Sequence, residues 1–309
     1  MVEISVIVCT YNRAGMLARV LESLDHQTLD RARYEVIVVD NNSTDQTRQV
    51  VEALRWRERQ RYCVETRQGL AYARNRGVGE AAGDYVAFID DDAEAKTDWL
   101  ERALDCLTSP SRPLAVGGPV LPLYDAPKPE WFKDEYETRW KGDRPRHLIP
   151  GESLSGSNMF FRRDIVGRCG GFDVRVGVSG DALSVGEETG LFARLWLEFP
   201  DALIYYSPAI VVRHSVPSFK MHVSYLLKRA FVSGQVWSIQ YGPSSCGGRL
   251  RTLFGIVWSM IRKSATALAS GRHHRVGRQW LAESVAPVVI DFGRLVGCMG
   301  LTWRMKQRS

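Results

Sequence analysis

Three carboxylates in a row, Asp90-Asp91-Asp92, close the apolar run Tyr85-Val86-Ala87-Phe88-Ile89. Adjacent carboxylates repel one another, so the triplet favours a cation partner. Oxygen ligation suits Mg2+ or Mn2+, ions that bridge to phosphate. Two more polar groups follow β-branched apolar runs in the same way: Thr10-Tyr11-Asn12-Arg13 after residues 4–9, and Asp40-Asn41 after residues 35–39. If these runs are parallel strands, hydroxyl, amide and carboxylate groups collect on one rim, where ligands of parallel α/β sheets bind. Any one of the three is also what an ordinary capped turn looks like; their coincidence points to a site. No G-x-G-x-x-G follows the first run and no G-x-x-x-x-G-K-[ST] occurs in the chain. Dinucleotide-dependent redox chemistry and P-loop hydrolysis therefore lack their phosphate cradle. Phosphate would instead be held by a metal and by cations such as Arg74 and Arg76.

The elements that must position these groups read as repeated β-α units. Residues 4–9 and 35–39 are apolar on both sides of the chain, as buried parallel strands are. Leu17, Val20, Leu21 and Leu24 share a helical face within residues 16–24. Ser43 or Thr44 can cap a helix running through Leu54. Residues 61–65 predict a third strand, 69–82 a helix and 84–89 a fourth strand. Residues 119–151, rich in Pro, Trp and charge, predict a long irregular excursion. A strand at 157–161, a helix at 187–197 and a strand within 202–212 follow, and the chain from about 219 onward reads as helical. The pattern predicts a mostly parallel sheet covered by helices on both faces.

The chain has 309 residues, 45% of them hydrophobic and 25% charged, which excludes collagen-like and wholly disordered proteins. Its six cysteines form no C-x-x-C pair, which argues against a disulfide framework and for a reducing compartment. The N-terminus opens directly into a strand-like run with Glu3, and predicts no secretory signal. The net charge of +6 hides an asymmetry: residues 213–309 hold 15 Lys/Arg against 2 Asp/Glu, and the residues before them 26 against 33. Such a basic block suits an anionic surface, or else is a solvated helical face. Apolar stretches of that region are too short or too interrupted to span a bilayer.

Taken together, these segments resemble family 2 glycosyltransferases with the GT-A fold. The likeness lies in Ser5-Val6-Ile7-Val8-Cys9-Thr10-Tyr11-Asn12-Arg13, Val38-Val39-Asp40-Asn41-Asn42-Ser43-Thr44-Asp45, Gly69-Leu70-Ala71-Tyr72-Ala73-Arg74-Asn75-Arg76-Gly77 and the D-x-D-like Phe88-Ile89-Asp90-Asp91-Asp92. It continues in Gly156-Ser157-Asn158-Met159-Phe160-Phe161-Arg162-Arg163 with Gly170-Gly171-Phe172-Asp173, and in Gly186-Glu187-Glu188-Thr189-Gly190-Leu191. The ordered match spans about residues 3–215. It implies a Rossmann-like, mostly parallel sheet covered by helices, with a helical C-terminal extension. By the same likeness, residues 1–218 form the catalytic domain, with a nucleotide-sugar half to about 118 and an acceptor half from about 119. Residues 219–309 form the basic amphipathic extension.

The resemblance also implies roles. Thr10, Tyr11, Asn12 and Arg13 line the nucleotide pocket, Asp40 with Asn41 meets the base, and Arg74 lies near ribose or diphosphate. Asp90 and Asp91 contact the donor, while Asp92, Asp90 and His214 form the metal site for Mn2+ or Mg2+. The usual Glu-Asp pair of the catalytic helix is Glu187-Glu188 here; alignment gives the base position to Glu188, with Glu187 as rival. The expected reaction is inverting transfer of one sugar from a nucleotide sugar, a UDP-sugar, to a saccharide or lipid-linked acceptor. The absence of Q-x-x-R-W argues for single addition. The extension predicts attachment to an anionic membrane surface at the cytoplasmic face, with packing or oligomerisation of its apolar faces as the alternative. A sugar-nucleotidyltransferase would carry a Gly-rich first loop, which is missing. A nucleic-acid-binding protein is supported only by the pI of about 9.0 and the C-terminal charge, and no nucleic-acid partner is expected.

Overall fold

The computed structural model describes residues 1–309 apart from 54–59, 181, 184, 242–245, 272–276, 302–304 and 307–309. Strand and helix alternate at first: β1 (Ile4–Thr10), α1 (Ala14–Asp25), β2 (Tyr34–Asp40), α2 (Thr47–Ala53), β3 (Gln60–Val64), α3 (Leu70–Glu80) and β4 (Tyr85–Asp90). Shorter pieces follow: β5 (Ala93–Ala95), α4 (Trp99–Leu107), β6 (Ala115–Gly117), β7 (Val120–Tyr124), β8 (Arg146–His147), β9 (Met159–Arg162), α5 (Arg163–Arg168), β10 (Ala182–Leu183), α6 (Glu187–Glu198), β11 (Ile204–Tyr206) and β12 (Val212–Val216). The chain then turns helical, with α7 (Val223–Tyr241), α8 (Cys246–Gly271), α9 (Arg278–Trp280), a π-helical turn at Leu281–Val285, and α10 (Ala286–Cys298) before β13 (Met305–Lys306). Two compact units result. The first is Met1–Leu123, Asp134–Val174 and Glu187–Ser215; the second is Tyr124–Lys133, Arg175–Gly186 and Val216–Ser309.

The first unit is built on a sheet of order β3-β2-β1-β4-β9-β6-β11-β8. The four strands β3, β2, β1 and β4 are parallel, and β9 runs against both its neighbours. Alternation along β1 explains its unbroken apolar sequence. Ile4, Val6 and Val8 join one core with Leu17, Val20, Leu21 and Leu24 of α1 and with Trp99 of α4. Ile7 joins a second core with Ala71 and Ala73 of α3 and Leu191, Phe192 and Leu195 of α6. The register pairs Thr10 with Asp40 and Cys9 with Asp90, so the three polar strand ends lie side by side.

Two local expectations are corrected. The helix after β2 is entered through Asp45, whose Oδ1 accepts the Thr47 backbone N–H at 3.0 Å, and neither Ser43 nor Thr44 caps it. Thr47 supplies its own hydroxyl to the same carboxylate, which anchors the turn locally. The strand expected within 202–212 is β11, in the large sheet, and β12 follows it between β5 and β7. The excursion at 119–151 contains β7, β8 and a 3-10 turn at Asp134–Tyr136. Leu54, the expected end of that helix, lies outside the described residues.

The second unit packs α7, α8 and α10 together, with β10 and β13 as a short antiparallel pair. α7 and α10 cross with backbones nearly touching. A Cβ at Gly234 would lie 2.0 Å from the Ile290 carbonyl oxygen, and one at Gly293 2.0 Å from that of Phe231. Only glycine permits this approach. Asp291, fully buried in α10, accepts from Ser259 Oγ at 2.7 Å and Lys263 Nζ at 2.6 Å of α8, and from Arg294 at 3.1 Å. Gly293→Ala tests the crossing. Helix propensity alone favours alanine by about 1 kcal/mol, but forcing the helices apart costs about 1–3 kcal/mol. The clash with a rigid carbonyl should win, and thermal denaturation should show a lower midpoint; an unchanged or raised midpoint would refute the close crossing.

Candidate active site

The rim begins with two interlocked loops. Asn12, at φ 51°, receives the Thr44 backbone N–H on Oδ1 at 2.8 Å, and its own N–H reaches Ser43 Oγ at 2.9 Å. The loops after β1 and β2 therefore hold each other. Asp40 is buried, with Oδ1 accepting from Ser43 N at 2.8 Å and Oδ2 from the Tyr62 hydroxyl at 2.6 Å. Asn41 donates to the carbonyls of Glu65 and Arg67 and accepts from Gly69 N at 2.7 Å, which fixes the entry to α3. Thr10 is buried at the end of β1, Tyr11 is half-buried and Asn12 exposed.

Beside this rim stands the acidic cluster. Arg13 bridges Asp91 Oδ1 at 2.9 Å and Asp92 Oδ2 at 3.2 Å. Burial pushes the Asp91 carboxyl up to about 6 against the pull of Arg13, with Asp92 adding to the rise. His214 arrives from far along the chain because β12 pairs antiparallel with β5, placing His214 opposite Ala93 and Ser215 N on the Asp92 carbonyl at 2.8 Å. Its Nε2 lies 3.0 Å from Asp92 Oδ1 and 3.6 Å from Asp90 Oδ2. One donor atom from each of Asp90, Asp92 and His214 falls within 4.8 Å of the others. The His214 Nδ1 is 3.2 Å from the Ser215 carbonyl. When that nitrogen carries the proton, the Nε2 lone pair faces two carboxylates, an arrangement that a cation resolves. The donor set of two carboxylates and an imidazole fits a divalent cation.

Behind the cluster lies Arg74. It is buried, and its guanidinium meets Glu187 Oε1 at 2.5 Å, Asp90 Oδ1 at 3.1 Å and the Gly156 carbonyl at 3.0 Å. The rings of Phe172 and Phe88 stand 5.4 and 5.9 Å from its centre. Burial opposes its charge, but Glu187 and Asp90 outweigh that and hold it protonated. Arg76, by contrast, points outward to Glu80 at 2.7 Å and is not brought to the site. At the start of α6 the two acids separate. Glu187 is buried on Arg74, while Glu188 is half-buried, and burial followed by the Glu187 charge pushes its carboxyl up to about 7.

The family model described as "Glycosyl transferase family 2" matches residues 5–170. The chain is 31% identical over 240 residues to the glucosyl-dolichyl phosphate glucuronosyltransferase of Haloferax volcanii, covering 75% of each protein. The chain belongs to glycosyl transferase family 2. This family 2 protein is also 33% identical over 244 residues to the succinoglycan biosynthesis protein ExoM of Rhizobium meliloti, covering 75% of this chain and 73% of that protein. Among solved structures, the mannosyltransferase PcManGT of Pyrobaculum calidifontis, in complex with GDP-Man and Mn2+, superposes with a TM-score of 0.63 at 21% identity. That match covers 95% of this chain and 87% of the other. Staphylococcus aureus TarS 1-349 in complex with UDP superposes at 0.56 and 18% identity, over 98% and 93%. The fold is therefore GT-A, and the activity glycosyl transfer.

Several residues of this glycosyltransferase's site were not singled out from sequence. Tyr62 binds Asp40; the register places it opposite Val38, on the same strand face as Asp40, a signal that exists only once the strands are aligned. The Gly156 carbonyl takes Arg74 through its backbone, which leaves no trace in side-chain type. Asn75 clamps both the N–H and the carbonyl of Phe172, at 2.8 and 2.9 Å, and so sets one wall of the Arg74 pocket.

Removing Arg74 leaves Glu187 buried without its partner. Arg74→Ala should cost about 3–5 kcal/mol of stability, read as a lower denaturant midpoint at unchanged slope. An equal midpoint would show that the buried pair does not hold the site together.

Proposed function

We propose that this glycosyltransferase moves a single sugar from a nucleoside diphosphate sugar, a UDP-sugar, to a hydroxyl of a saccharide or lipid-linked acceptor, with inversion at the anomeric carbon. The observation that carries the reading is the separation of the two α6 acids: Glu187 is neutralised by Arg74, and Glu188 is left half-buried with a raised carboxyl pKa. A pKa near working pH is what a general base needs. In this reading residues 1–118 hold the donor and 119–218 shape the acceptor side. Asp40, fixed by Tyr62 and Ser43, presents acceptor oxygens to an N–H of the base. Thr10, Tyr11, Asn12, Arg13 and Asn41 line the nucleotide.

Glu188 takes the proton from the acceptor hydroxyl as its oxygen attacks the anomeric carbon. The bond from that carbon to the diphosphate oxygen breaks, and its electron pair leaves with the nucleotide. Attack and departure on opposite sides invert the centre in one displacement. Asp90, Asp92 and His214 would hold a Mn2+ or Mg2+ ion, and such an ion supplies charge compensation for the leaving diphosphate. Arg13 keeps Asp91 and Asp92 in place, and Arg74 keeps Asp90 and Glu187 in place. Relatives named for a dolichyl phosphate substrate and for succinoglycan biosynthesis support acceptors in glycolipid or surface polysaccharide synthesis. We place the protein at the cytoplasmic face of the membrane, where such acceptors are presented.

Two variants test the assignment. Asp92→Ala should abolish Mn2+-dependent binding of UDP while the circular dichroism spectrum stays unchanged; calorimetry with wild-type affinity would refute the metal site. Glu188→Gln should keep donor binding and lose turnover by about 10²–10⁴-fold. Since the base must be ionised and burial raises its pKa, wild-type turnover should climb with pH through about 7. A flat profile across that range, or a dead Glu187→Gln beside an active Glu188→Gln, would move the base elsewhere.

A further inference from the structure

Within the second unit, α8 turns one face inward and another outward. Ile256 and Ala267 are buried, and Ser259 and Lys263 reach the buried Asp291 of α10. The opposite side carries Phe254, Trp258, Ile261 and Leu268, exposed at 76, 70, 58 and 69%. Their spacing of three, four and seven residues sets them on one stripe, with Val257 beside it and exposed Ala265 between. The stripe is about 21 Å long at 1.5 Å per residue. The helix has already committed its inner face to folding, so the outer stripe is surplus to the packing of this unit.

We propose that this outer face of α8 docks on an anionic lipid bilayer, the helix lying in the head-group plane. Charge decides between lipid and a second copy of the chain. From residue 213 onward 15 Lys/Arg stand against 2 Asp/Glu, and Arg262, at the border of the stripe, is exposed, as is Arg278. Pairing two such faces across a twofold axis brings like charges together. An anionic surface complements them, and an aromatic and aliphatic stripe with basic neighbours is the composition of an interfacial helix. Among the described residues no helix is long and apolar enough to cross a membrane, so the geometry is in-plane. The attachment rests on the lipid-linked acceptor reading for its purpose but not for its geometry.

Flotation of the full chain with phosphatidylglycerol and with phosphatidylcholine vesicles tests it. The wild type should float with the anionic vesicles at low salt and not with the neutral ones. The double variant Phe254→Ser, Trp258→Ser should bind at least about tenfold more weakly, and Arg262→Glu with Arg278→Glu should weaken binding in low salt. UDP and Mn2+ calorimetry on the same samples confirms that the variants fold. Absence of flotation by wild-type protein that binds UDP overturns the docking face and leaves the transfer reading standing. Equal flotation of the double variant also overturns it, as does light scattering that shows a wild-type dimer dispersed by the double variant. Flotation without any nucleotide binding would support the face and sink the transfer reading.

Discussion

A guanidinium shut away from water must be matched on every side, and Arg74 sets that demand for the centre of the first unit. Its partners come from three separated stretches: Asp90 at the end of β4, the Gly156 carbonyl before β9 and Glu187 at the start of α6. Desolvation makes any unmatched side costly, so these stretches can adopt few other arrangements. The Asp90 carboxylate and the start of α6 are thereby fixed to one another through a single planar group. Having satisfied Glu187, Arg74 also divides two adjacent and chemically equal acids into one that is structural and one that is free to titrate.

The rim after β1 and β2 is fixed by a different device. Hydrogen bonds tie the loops after β1 and β2 together through Asn12, Ser43, Thr44 and Asp45, with Asp45 accepting from Ala14 N as well as from Thr47. Asn41 does the same for the turn into α3. Short polar side chains that bond to backbone specify geometry without filling space, so the rim can be rigid and still open to a ligand.

Much of this was legible in the sequence because buried parallel strands announce themselves by unbroken apolar runs, and because strand ends in such sheets face the ligand. Asp40, Asp90, Asp92 and Arg74 were all visible on those grounds and by family likeness. The contact of Arg74 with Glu187 was not, since nothing in a one-dimensional pattern tells which of two neighbouring glutamates turns inward. Tyr62 carries no such signal, because its strand is short and its face is set by register. The cap expected at Ser43 or Thr44 falls at Asp45 because all three are competent acceptors and Asn12 engages the first two.

The way His214 reaches Asp92 has a bearing on the order in which the molecule is made. The acidic triplet and its neighbouring loops belong to the early β-α units, in which β1 to β4 pair with one another. The imidazole stands on a late strand, registered by the backbone pairing of β12 with β5 and by the Ser215 amide on the Asp92 carbonyl. A nascent chain that has not yet emerged past Ser215 can form much of the polar rim but not the three-residue cluster. Long-range pairing of this kind is among the slower steps of folding. The cluster of Asp90, Asp92 and His214 is therefore a product of the finished first unit, and any ion it selects is selected by the folded protein rather than by the growing chain.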